Sequence, residues 1–174
     1  MEQQADLVQA MRRALVEPVA LLVTAGKDGR ANVMSAGWNM KVSYAPPLIA
    51  VGVGETRHSL ELLQQNDEFV LAFMSTGAEE LLEYFGTASG RDEDKLAKTG
   101  TKTLPATKVG VPLLADARLN FECKVHSITK PGDHYIVVGE ILAAHLDESK
   151  PQMLYKGKDR DNNRTYSTVD GYED

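Results

Sequence analysis

Two strand-like segments joined by a four-residue turn constrain this chain most. Over residues 118–128 (RLNFECKVHSI), Leu119, Phe121, Cys123 and Val125 alternate with Asn120, Glu122, Lys124 and His126. Alternation of period two marks a strand with one apolar face and one polar face. Lys130-Pro131-Gly132-Asp133 then offers turn-forming residues, and residues 134–146 (HYIVVGEILAAHL) return as a long apolar strand. The pair predicts a two-stranded antiparallel ribbon. Gly139, inside the return strand, marks a bulge or a close backbone approach.

The same grammar runs through the first half. Residues 18–25 (PVALLVTA), the turn Gly26-Lys27-Asp28-Gly29 and residues 30–36 (RANVMSA) read as a hairpin. Pro46-Pro47 resets the chain, and residues 48–54 and 68–74 are strands on either side of an amphipathic helix. Residues 76–86 predict a second helix, with Thr76 as its cap and Leu81, Leu82, Tyr84 and Phe85 available to a core. Leu7, Met11, Ala14 and Leu15 predict an N-terminal helix. Residues 86–117, rich in Gly, Thr, Asp and Lys, are too long for a purely structural turn and direct attention to function. Beyond Pro151 the chain is polar and punctuated by Tyr155, Tyr166 and Tyr172, so this extension either packs on a partner chain or frays.

Many short strands with hairpin turns and a few helical insertions predict a mainly β fold, a closed or partly closed barrel, because closure removes exposed strand edges. A doubly wound sheet would alternate strand and helix throughout. At 174 residues the chain is expected to form one domain, with about 151–174 as a C-terminal extension. A net charge of −6 argues against an electrostatic nucleic-acid surface. One cysteine, Cys123, excludes an internal disulfide framework and a cysteine metal cluster; its neighbours make it a core thiol, in keeping with a reducing cytoplasm. No secretory pattern opens the chain, and no apolar run reaches membrane-spanning length. Metal-spaced histidines, a Walker loop and a Gly-x-Ser-x-Gly elbow are all missing.

The chemistry concentrates in residues 51–66 (VGVGETRHSLELLQQN). A glycine-punctuated strand enters Thr56-Arg57-His58-Ser59, which opens a helix with Leu60, Leu62 and Leu63 on its inward face. The first N–H groups of a helix lack intrahelical partners and its dipole favours negative charge, so a phosphate there meets ready donors. Thr56 is the expected N-cap, and Arg57 and Ser59 would add side-chain bonds. A capped surface helix is the competing reading. Gly52-Val53-Gly54 matches only half of a dinucleotide fingerprint, since Arg57 holds the third glycine position.

Five pieces, in order, carry a family resemblance: Pro18-Val19-Ala20; Asn32-Val33-Met34-Ser35-Ala36-Gly37-Trp38; Ser43 through Pro46-Pro47; the glycine strand with Thr56-Arg57-His58-Ser59; and Gly132-Asp133-His134 before a strand with Gly139-Glu140. The chain resembles the flavin reductase-like, FMN-binding split-barrel family of flavin reductases, flavoredoxins and ferric reductases. The resemblance implies a homodimer of split barrels that binds FMN, in preference to FAD, near the subunit interface. It implies an isoalloxazine edge held by Asn32, Met34, Ser35, Ala36, Gly37 and Trp38, with backbone N–H groups of a turn at Ser35–Gly37 stabilising the reduced ring. Trp38 would flank or roof the ring, unless it is a core aromatic; Asn32 would contact flavin or shape its strand. Gly52, Val53 and Gly54 would lead to the phosphate at Thr56, Arg57, His58 and Ser59. Ser89, Gly90 and Lys95 match a loop that closes over flavin, against the reading of a solvated charged loop. His134 would orient nicotinamide, unless it is structural, while His126 and His145 read as surface or packing residues.

The activity implied is hydride or electron transfer from NAD(P)H through bound flavin to free flavin, a ferric chelate or a redox protein, with no side chain acting covalently. A flavin electron carrier fed by a protein partner, without a nicotinamide site, is the alternative from another class. A third is a flavin-free dimeric binding protein.

Overall fold

The computed structural model describes residues 6–8, 11, 16–159 and 163–169. Leu7, Val8 and Met11 are helical, whereas Ala14 and Leu15 of the expected N-terminal helix lie outside the described residues. The elements that follow are β1 (Glu17–Pro18), β2 (Ala20–Ala25), β3 (Ala31–Ala36), β4 (Asn39–Tyr44), β5 (Pro47–Gly54), α1 (His58–Gln65), β6 (Glu68–Phe73), α2 (Glu79–Thr87) and α3 (Lys95–Thr99). Two short strands, β7 (Thr103–Leu104) and β8 (Leu113–Leu114), precede the long ribbon β9 (Leu119–Thr129) and β10 (His134–Leu146). The chain closes with β11 (Gln152–Lys158) and β12 (Arg164–Val169).

Seven strands form one antiparallel sheet in the order β3-β2-β6-β9-β10-β5-β4. Its two edge strands, β3 and β4, are successive in sequence and joined only by Gly37-Trp38. Three Cα–Cα steps, from Ala36 to Asn39, span roughly 11 Å at most, so the sheet must roll to bring its edges together there, which is the split barrel the family resemblance implies. Asn39 ties this corner, its side-chain amide donating to the carbonyls of Pro18, Ala36 and Gly37 at 2.9–3.0 Å. β4 itself escapes the sequence patterns, because its exposed Met40, Lys41 and Val42 do not alternate.

Side-chain alternation builds one core on each surface of the rolled sheet. Ala20 and Leu22 of β2, Ala36 of β3, Val51 and Val53 of β5, Phe69 and Leu71 of β6, Cys123 and Val137 fill the barrel with Leu60 and Leu63 of α1. Leu21, Val23, Val70 and Ala72 point the other way, under Leu82 and Phe85 of α2, Val111, Leu113 and Leu114, and Met153 of β11. Burying a side chain such as Phe69 contributes about 1.5–3 kcal/mol. Gly139 meets both of its expectations: the β9–β10 register shifts beside it, and a Cβ there would stand 2.3 Å from Phe69 Cζ. Cys123 is the buried thiol expected, pushed up to about 12 by burial and by neighbouring Glu122.

Four expectations are corrected. Residues 18–25 do not form one strand: Pro18 pairs with β11, and the barrel strand starts at Ala20, opposite Ala36. Thr76 does not cap α2, because Gly77 turns the chain at φ 86 and the helix starts after Ala78 without a side-chain cap. Asn120 and Glu122 are not on a solvated face; both are buried beneath the 103–114 segment. Asn120 exchanges bonds with both backbone groups of Leu114, and Glu122 accepts from the backbone N–H groups of Thr107, Lys108 and Val109. Finally, where the sequence offered a partner chain or fraying for the extension, its described part packs on its own chain: β11 pairs with β1 and β12, and Met153, Tyr155 and Tyr166 cover the outer core. Tyr172 lies outside the described residues.

Candidate functional site

The start of α1 is left open for an acceptor. Thr56 is not the N-cap: the Arg57 N–H bonds the Gly54 carbonyl at 3.0 Å, this turn delays the helix, and Arg57 takes the cap position with extended backbone and no side-chain cap bond. The uncapped N–H groups keep their partial positive charge. Ser59 points inward, 1 % exposed, and its hydroxyl accepts from Asn32 Nδ2 at 2.9 Å.

Asn32 is the tell-tale residue. It is buried, yet its Oδ1 has no hydrogen-bond partner, a condition that costs about 1–3 kcal/mol unless something else donates to it. Gly90 permits the approach, since a Cβ there would stand 2.1 Å from that oxygen. Lys95 lies beside them, 4 % exposed; its Nζ donates to the Ala88 carbonyl at 3.3 Å and sits 5.8 Å from the Phe85 ring centre. Burial pushes the Lys95 ammonium down to about 8, Glu93 partly opposing and Arg57 adding to the effect. A buried cation without a carboxylate contact suits an anionic visitor.

Around these groups runs a groove of about 170 Å³, lined by Asn32, Met34, Ser35, Thr56, Arg57, His58, Ser59, Gly86, Thr87, Ala88, Ser89, Gly90, Arg91 and Lys95. A wider recess of about 400 Å³ adjoins it across Asn32, His58, Gly90 and Lys95, bounded by the Gly26–Arg30 turn and Gln65. Arg91 holds the 88–95 loop against α1, reaching Glu61 at 2.7 Å and the Thr56 carbonyl at 3.2 Å. Arg91 and His58 together hold the Glu61 carboxyl down at about 2.

The groove thus brings together Asn32, Met34, Ser35, Thr56, Arg57, His58, Ser59, Ser89, Gly90 and Lys95 from the sequence-predicted set. The rest stand elsewhere. Ala36 and Val53 turn their side chains into the barrel. Ser35 and Ala36 belong to edge strand β3, not a turn, and Ser35 Oγ donates to the Leu82 carbonyl. Gly37 lies under the Glu17 carboxyl, which burial raises. Trp38 covers Gly52 and is 51 % exposed, so it is not a core aromatic. It stacks on His134 with ring centres 4.4 Å apart, and His134 lies against Gly54 and bonds Asp133 at 2.8 Å. Sequence reasoning missed Arg91, whose partner is thirty residues away, and Gly86, which no local pattern distinguishes from any helical glycine.

The residues fit a flavin nucleotide: an open helix start with Arg57 for a phosphate, and an unpartnered buried amide oxygen with a buried ammonium along the groove. Comparisons with known proteins agree in kind. Residues 11–163 match the family described as flavin reductase like domain. An uncharacterized protein of Archaeoglobus fulgidus is 34% identical, over 78% of each chain. The NADH-dependent FAD reductase of Streptomyces globisporus is 27% identical, over 80% of this chain and 75% of that one. The flavoredoxin of Methanosarcina acetivorans, solved by X-ray crystallography, superimposes with a TM-score of 0.77 at 26% identity, over 100% of this chain and 92% of that one.

Proposed function

The chain belongs to the flavin reductase like domain family, and on that footing we propose that it binds FMN in the α1 groove and passes reducing equivalents from NAD(P)H to free flavin, a ferric chelate or a redox protein. The observation that carries the reading is the orphaned Oδ1 of Asn32, a residue that lines the same groove as the open start of α1 and buried Lys95. Arg57 and the first N–H groups of α1 would hold the phosphate, and Lys95 would complete its charge neutralisation. Ser59 Oγ, already accepting from Asn32, keeps its own proton to donate to the same anion. Bound flavin supplies the hydride-accepting N5 and the electron storage. The protein's part is to position, to exclude water through the Arg91-held loop, and to set the electrostatics.

The Trp38–His134 pair, its ring planes inclined by 37°, offers a half-open aromatic surface suited to nicotinamide. Exposed Met40, Val42 and Tyr44 continue from Trp38 along edge strand β4, which supports a homodimer paired through that face. Among the described residues no helix is long and apolar enough to cross a membrane. A cytoplasmic setting suits the single buried thiol.

The likeness to a flavoredoxin favours one second reading, a carrier that receives electrons from a protein partner instead of a nicotinamide. An absorbance spectrum after FMN loading and desalting, followed by anaerobic NADH or NADPH, decides among them. A retained band that bleaches supports the reductase, and a retained band that stays oxidised supports the carrier. No retention by the wild-type chain, with no effect of added flavin on nicotinamide oxidation, would sink both.

A further inference from the structure

The C-terminal hairpin does more than cover the outer core: it delivers a cation to the back wall of the groove. Arg164, the first residue of β12, places Nη1 2.9 Å from the point where a Cβ on Gly86 would stand, and Ser35 Cβ lies 3.5 Å from that same point. Gly86 and Ser35 both line the groove. The guanidinium therefore rests on bare helix backbone, where any side chain at residue 86 would displace it. This is the last turn of α2, which carries no basic residue of its own. Helix C-termini are electronegative, so a cation is favoured there. Glu83 Oε2 accepts from Arg164 at 2.8 Å and is itself 53% exposed, which leaves the cation only partly neutralised.

The groove has a direction. With its phosphate held by α1 and Arg57, a flavin nucleotide lying along this groove would bring its ring toward the wall formed by Met34, Ser35, Gly86 and Thr87. Two electrons and one proton add one negative charge to that ring. We propose that Arg164 is an electrostatic tuning residue of the flavin site, acting through the Gly86–Ser35 wall to favour the reduced ring and so raise the reduction potential of bound flavin. The proposal rests on the flavin reading above. Arg164 touches no reacting atom; it acts by field, across a half-buried wall where Coulomb terms exceed those in bulk water.

The test is the two-electron midpoint potential of FMN-loaded protein, by dye-equilibrated reductive titration, with the FMN dissociation constant measured alongside by fluorescence quenching. R164Q should lower the preference for reduced over oxidised flavin roughly tenfold, a fall of about 30 mV for a two-electron couple. R164K should stay within about threefold of wild type, since charge survives without the planar fork. E83Q frees the cation and should shift the potential upward, opposite in sign to R164Q. R164Q that binds FMN at the wild-type potential overturns the proposal. So does an E83Q shift of the same sign as R164Q, the mark of a loosened wall and not of a field. Should R164Q fail to fold, R164M takes its place as the uncharged variant, and a wild-type potential there overturns the proposal equally. Wild-type protein that binds no FMN would instead overturn the flavin reading itself.

Discussion

Glu122 staples the long 100–117 connection to the barrel, and its removal should be among the costliest single changes in the chain. Its side chain is fully buried and accepts from Thr107 N and Oγ1 at 2.9 and 2.8 Å, Lys108 N at 2.5 Å, Val109 N at 3.1 Å and His145 Nε2 at 2.6 Å. Burial alone would raise the carboxyl, but the donors of Thr107, His145 and Lys108 outweigh it and hold it at about 2, against an ordinary 4.5. That difference corresponds to roughly 3 kcal/mol of stability at neutral pH. E122A strands several buried donors at about 1–3 kcal/mol each, partly recovered by water, for a net loss of about 3–5 kcal/mol. Melting should fall by roughly 8–15 °C for a chain of this size. E122Q keeps one acceptor but turns an amide N–H₂ toward other donors, and should cost about 2 kcal/mol.

The pH dependence has a definite sign. Because the folded carboxyl titrates below its unfolded value, the unfolded chain binds the extra proton; the stabilisation is complete above about 4.5 and disappears as pH falls through about 2. Urea unfolding at pH 7 and pH 3 should show wild type losing roughly 2 kcal/mol more than E122Q between the two. An E122A midpoint within 1 kcal/mol of wild type, or equal pH slopes for wild type and E122Q, would refute the reasoning.

Replacing Lys95 by Met should stabilise the ligand-free protein by roughly 1–3 kcal/mol at pH 7, since a buried charge held down at about 8 disappears; thermal melts check this, and FMN titration should show weakened binding in the same variant. Wild-type FMN affinity should decline as pH rises through about 8, where Lys95 loses its charge, with no such limb in K95M. R57Q should raise the FMN dissociation constant about 10- to 100-fold, the value of one charge-assisted bond at 1.5–3 kcal/mol, with the melting temperature of the apo protein unchanged. G139A drives a methyl group into the Phe69 ring and should cost about 1–3 kcal/mol in urea unfolding.

What the sequence determined is local and periodic. Alternation located the long ribbon, with β10 at residues 134–146 as expected, and turn chemistry placed the hairpin at Gly29, whose φ is 76. The Thr56–Ser59 segment announced a helix start, and the groove collects around it. Caps were misplaced at both Thr56 and Thr76, because a turn at Gly54 and a left-handed Gly77 shift each helix start, and neither effect shows in residue type. Only the tertiary structure decided which polar residues are buried. Glu122 and Lys124 occupy equivalent positions in an alternating strand, yet one is sealed under backbone donors fifteen residues upstream and the other is exposed. It also decided that Arg91 reaches α1, that Arg164 reaches Gly86, and that Trp38 stacks on His134 instead of entering the groove. These are juxtapositions of distant segments, set by how a seven-stranded sheet rolls until β3 meets β4. Periodicity tells which face a side chain leaves from, whereas the closure of the sheet determines what that face meets.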